Sequence, residues 1–169
     1  MKSTYITLVL IFMVGLVACK QTEAPEPVPE VVVEEVKKVV YHIDFYDVDR
    51  VSATLTSINN MVNTYQETLT EYDVRIVFLG AGIRFTTNDP LKGTPFEEND
   101  AFKKRKTEIL ERIIGIKEVQ EVKLELCEIT RVAIGLDKEK LLPGVESVTS
   151  GVVRIAELQD QGFAYIKIQ

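Results

Sequence analysis

From Val39 onward, short apolar runs rich in β-branched residues alternate with longer stretches whose apolar positions recur at helical spacing. Strands joined by helices give this pattern, and it predicts an α/β domain with a mainly parallel sheet covered by helices on both faces. Five strands are expected, at Val39 to Phe45, Val74 to Leu79, Val122 to Cys127, Val145 to Val148 and Ala164 to Ile168. Between the first two, Val51, Leu55, Ile58, Met61, Val62 and Tyr65 mark a helical face, with Asp47 or Asp49 available as N-cap. A second helix is expected over Ala101 to Ile113, and a short one after Cys127 runs through Ile134 to a turn at Gly135. Lys138 to Leu142 leads to Pro143-Gly144, and the last helix runs from Ser150, its cap, to Gln161 and stops at Gly162.

The first 38 residues follow a different pattern. Lys2 precedes an apolar run from Tyr5 to Ala18 that ends in Leu16-Val17-Ala18-Cys19. The run is shorter than the ~20 residues that span a bilayer comfortably, and small Ala18 sits where a signal peptidase needs a small side chain. The segment resembles a bacterial lipobox. That resemblance implies a signal peptide over 1–18, with Cys19 lipidated as the mature N-terminus and multiple acyl chains anchoring it; a short uncleaved anchor is the alternative. Lys20 stands where an aspartate would signal inner-membrane retention, so the expected location is the periplasmic side of a membrane, the outer rather than the inner. Residues 19–38 continue as a Pro- and Glu-rich tether with Pro25, Pro27 and Pro29, and the domain follows over 39–169. Val31 to Val36 could instead extend the first strand.

Composition narrows the function. With 169 residues and 46% hydrophobic content the chain suits one domain with a buried core. A formal charge of −6 argues against nucleic acid as a partner, and the basic cluster Lys103-Lys104-Arg105-Lys106 reads as a solvated helix face. With Cys19 acylated, Cys127 is the only remaining thiol, so no internal disulfide forms. One histidine and one unmodified cysteine cannot build a Cys/His zinc cage, no Gly-x-Ser-x-Gly or Walker sequence is present, and no cofactor or metal is expected.

Parallel sheets bind ligands at the carboxyl ends of their strands. His42 and Asp44, Gly80-Ala81-Gly82, Cys127 and the long Thr86 to Asp100 loop all fall on that edge. Such a loop is commonly a lid, an interface or a mobile segment. A thiol at a strand end facing a helix N-terminus has its thiolate favoured, with Glu128 opposing and Arg131 available to offset it. The plainer reading is a buried core cysteine. His42, the sole histidine, could exchange a proton near Cys127 with Asp44 orienting it, or be structural. Gly80 and Gly82 could admit an anion, although the tight-turn reading is stronger.

The order and spacing of Val39-Val40-Tyr41-His42-Ile43-Asp44, Phe78-Leu79-Gly80-Ala81-Gly82-Ile83, Leu124-Glu125-Leu126-Cys127 and Gln161-Gly162-Phe163-Ala164-Tyr165-Ile166 resemble the DsrE/DsrF-like family of small proteins associated with sulfur transfer. The resemblance implies a three-layer α/β/α domain that assembles into homo-oligomers, trimers or hexamers. It also implies that a cysteine after the third strand, Cys127 here, carries sulfane sulfur as a persulfide between a donor and an acceptor protein. The competing expectation is a non-catalytic oligomeric binding or scaffold module.

Overall fold

In a computed structural model, which describes residues 36–168, β1 (Lys37–Ile43), β2 (Tyr72–Phe78), β3 (Lys123–Cys127), β4 (Val145–Val148) and β5 (Ala164–Lys167) form one sheet. The strand order is β4-β3-β2-β1-β5 and every neighbouring pair is parallel. The apolar runs foretold all five strands. β1 begins two residues earlier than Val39, because Lys37 and Lys38 pair with Tyr72 and Asp73 and so belong to the sheet rather than to the tether.

Successive residues of a strand face opposite ways, and here the two sets differ in chemistry. Tyr41, Ile43, Ile76, Phe78, Leu124 and Leu126 point to one face and join the main core. On it lie α1 (Val48–Glu67) and α2 (Asp100–Gln120), packed side by side. The opposite face carries Arg75, Glu125 and Cys127 around a small apolar cluster of Val40, Val77, Ile155, Leu158 and Phe163. Among the described residues it is covered by α4 (Gly151–Asp160).

The helix ends follow from local chemistry. Asp47 caps α1 by accepting from the Arg50 amide at 2.8 Å, and Asn99 caps α2 through the Phe102 amide at 2.9 Å. α2 continues beyond Ile113 to Gln120, because Ile113, Ile116 and Gln120 extend the buried stripe at helical spacing and outweigh the poor helix-former Gly115. Ser150 caps α4 as expected, accepting from Val153. The short α3 (Glu128–Ala133) ends at Gly135, whose φ of +66° suits glycine.

The segment expected as a lid or mobile loop is strapped to the body. It follows a 3-10 helix at Gly80–Thr86, and Thr87 forms an antiparallel bridge with Leu141. Arg84, 5% exposed, donates to the carbonyls of Phe96 and Glu97, and Lys106 holds Asn88 and Glu98. Among the described residues no helix is long and apolar enough to cross a membrane. The signal segment, Cys19 and the tether as far as residue 35 lie outside the described residues.

Candidate functional site

Cys127 ends β3, opposite Val148 of β4, and serves as the N-cap residue of α3. The β3-to-β4 connection returns over the apolar face, where Leu136 and Leu142 join the main core. The β4-to-β5 connection leaves over the other face as α4. Chain therefore departs to opposite sides between β3 and β4, the crevice where open parallel sheets place ligands. The thiol sits at its base.

Cys127 is 5% exposed, yet it belongs to neither apolar cluster. Burial pushes its thiol pKa up. The Gly151 amide at the start of α4, the Thr130 amide and hydroxyl, and the Ile129 amide push it down, and together they prevail, so the thiol lies below its ordinary value. The Thr130 hydroxyl also accepts from the Gly80 amide at 3.2 Å, tying the turn after β2 to the wall around the sulfur.

Outside this wall lies an open apolar hollow of about 450 Å³ lined by Glu128, Ile129, Val132, Ala133 and Thr149. A more polar one of about 330 Å³ runs from Ser147 to Arg154 and Glu157. Thr149 borders both. Cys127 lines neither.

The other expected site residues divide sharply. Arg131 directs Nε and Nη2 to the Glu128 carboxylate at 2.9 and 2.6 Å, and its remaining nitrogen to the Leu136 carbonyl. Its charge is committed there rather than to the sulfur, and it holds Glu128 down to about 2. The acidic neighbour of Cys127 is thus neutralised by its own partner. Gly82 serves the turn: an added Cβ would stand 2.2 Å from the Ile43 carbonyl oxygen. Gly80 has a φ of +47° and reaches the site only through Thr130.

His42 pairs in register with Val77, which pairs with Glu125, so it stands two strands from β3, about 10 Å across the sheet. Cys127 lies farther still along β3. Nδ1 of His42 is 2.9 Å from the Tyr165 hydroxyl, and Nε2 is 3.8 Å from Asp44 and has no hydrogen-bond partner. Burial lowers its pKa, with Lys167 acting the same way, against the opposing pull of Asp44. The structure does not bring His42 and Asp44 together with Cys127.

Sequence reasoning missed Thr130 and a charged cluster centred on Glu125. Glu125, 3% exposed, accepts from Arg75 at 2.8 Å and from two nitrogens of Arg154 at 2.8 and 2.9 Å. Arg75 in turn grips Asp73 at 3.0 and 2.7 Å. The Arg partners hold Glu125 below the ordinary carboxylate range although burial pushes it up. The signal was the alternation Lys123-Leu124-Glu125-Leu126-Cys127, which sets Glu125 on the face of the thiol. Its partners become visible only once the strand register is known. Among the described residues no group of three or more His, Cys, Asp or Glu is placed to hold a metal ion.

A search of curated proteins returns no match. Among solved structures, MTH1491 from Methanobacterium thermoautotrophicum, a protein of unknown function, is similar at 26% identity and a TM-score of 0.59, covering 78% of this chain and 98% of its own. The ychN protein from E. coli aligns at 17% identity and a TM-score of 0.49, covering 79% and 100%. The family model for the DsrE/DsrF-like family matches residues 39–168, the whole domain from β1 through β5, and the chain belongs to that family.

Proposed function

We propose that this protein is a sulfur carrier or sulfurtransferase-like protein in which Cys127 forms a persulfide. The observation that carries the reading is the set of backbone amides from α3 and α4 converging on a buried thiol. In the step itself, the Cys127 thiolate attacks the outer sulfur of a donor persulfide. That sulfur bonds to Cys127 while the donor S–S bond breaks, and the donor leaves as a thiolate with the electron pair. Thiosulfate donates in the same way, with sulfite leaving. Attack by an acceptor thiolate on the outer sulfur reverses the exchange, and no external oxidant is required. The amides that favour the thiolate favour it equally as leaving group.

The lipobox-like Leu16-Val17-Ala18-Cys19 and the tether after it support an acylated protein on the periplasmic side, at the outer membrane, and the family suggests a homo-oligomer. A second reading, an oligomeric binding module with an inert thiol, draws on the 5% exposure of Cys127 and on the exposed Ile129 and Val132 beside it.

Intact-mass analysis of the full chain carrying Cys19→Ala, after treatment with polysulfide or thiosulfate, separates the two. The carrier reading expects one added sulfur atom that is absent when Cys127→Ala is also present. The same mass gain on treatment in both, or no gain in either, rejects it and leaves the binding module. Incorporation of a labelled fatty acid that persists in Cys19→Ala would reject the anchor.

A further inference from the structure

The apolar contacts of α4 are unevenly distributed. Ile155 and Leu158, in its middle and last turns, are buried against the sheet, while Val152 and Val153 in the first turn are 68% and 55% exposed. Hydrophobic packing therefore fixes the later part of the helix and leaves the first turn to be held by other means. That turn comes in closely: a Cβ on Gly151 would stand 2.6 Å from Cγ of Leu79. Its strongest polar tie is Arg154, one turn after Gly151, whose guanidinium forks onto Glu125. Glu125 lies two residues before Cys127 on the same face of β3 and is fixed from its far side by Arg75. A buried carboxylate gripped by two guanidinium groups has little freedom, and a planar fork fixes angle as well as distance.

We propose that Glu125 and Arg154 are positioning residues, which set the amino end of α4 at the distance where the Gly151 amide meets the Cys127 sulfur. This rests on the reading of Cys127 as the reacting group. The charged groups on the thiol's side of the sheet are Glu125 on β3, Glu146 on β4, Arg75 and Asp73 on β2, Arg154 and Glu157 on α4, and Glu128 with Arg131 and Lys138 beyond it. Two substitutions separate position from charge. Arg154→Lys keeps the charge and loses the fork. Glu125→Gln removes a negative charge near the sulfur, which by electrostatics alone favours the thiolate, whereas loosening the helix disfavours it.

The test is the pH dependence of iodoacetamide alkylation of Cys127 in the full chain carrying Cys19→Ala. Arg154→Lys is expected to move the midpoint to higher pH, lowering the thiolate share at fixed pH about threefold, as partial loss of a helix-terminus contribution would. Glu125→Gln moves it the same way, and Glu111→Gln, an exposed control on α2 over the opposite face of the sheet, leaves it in place. An unmoved midpoint in a natively folded Arg154→Lys, or a downward shift in Glu125→Gln, overturns the proposal. If Glu125→Gln does not fold, Arg154→Lys decides alone. Because alkylation needs no sulfur donor, a protein that gains no sulfur yet shows these shifts loses the carrier reading and keeps the positioning one.

Discussion

The two faces of the sheet present opposite solutions to the same backbone. One is apolar through its centre, with Ile76, Phe78 and Leu126 fully buried beneath α1 and α2. The other sets Arg75 and Glu125 on the same strands, alternating with those apolar residues, beneath the ten residues of α4, with Lys123 exposed at its edge. All-parallel sheets are usually apolar on both sides, since helices cover both. The difference here separates tasks: the first face supplies most of the burial that stabilises the fold, and the second holds a thiol among groups that can tune it. Burial of charge is costly, and the second face tolerates it because Glu125 is met by two arginines.

Truncation gives the largest contrast. Ile76→Ala, on the apolar face, should cost about 3–4 kcal/mol in a urea-unfolding measurement. On the neighbouring strand Lys123→Ala, which removes a half-exposed partner of Asp73, should cost less than about 0.5 kcal/mol. Equal losses would show that both faces carry the stability alike. An effect well below that of Ile76→Ala concerns His42, also on the charged face. Its folded pKa lies below the ordinary 6.5, so the unfolded chain binds the proton more readily. Stability should therefore fall as pH drops through 6.5 and level off below the folded value, by less than about 1 kcal/mol. Melting temperatures at neutral and mildly acid pH, compared with His42→Gln, read this out. A variant with the same acid-side slope would place the titration elsewhere.

The existence of every strand and the position of Cys127 were legible because apolar runs and helix caps are local signals. Asp47 and Ser150 act as the caps their spacing announced. The end of α2 was harder to read, since Gly115 looks like a stop when the buried contacts of Ile116 and Gln120 are unknown. The site was only half legible. A sequence can place Cys127 at a strand end, but whether His42 meets it depends on strand order, and β2 intervenes. Arg131 is one helical turn from Cys127, and the local signal that Glu128 claims it instead is their spacing of three residues on one helix. Glu125, Arg75 and Arg154 lie far apart in the chain, and only the register of β2 on β3 and the course of α4 make them one cluster.

Five strands spaced about 4.8 Å apart make a sheet about 19 Å wide, whereas a helix with its side chains shades only about 10 Å. α4 runs slantwise from Leu79 and Cys127 at one rim to Lys38 and Phe163 at the other. Among the described residues it leaves two corners uncovered, one holding Asp44 and Tyr165 beside the half-buried His42 and the other Lys123 and Glu146. Both corners are wettable, so a visitor to either would be chosen by hydrogen bonding and charge, while the greasy notch beside Ile129 and Val132 would select by shape.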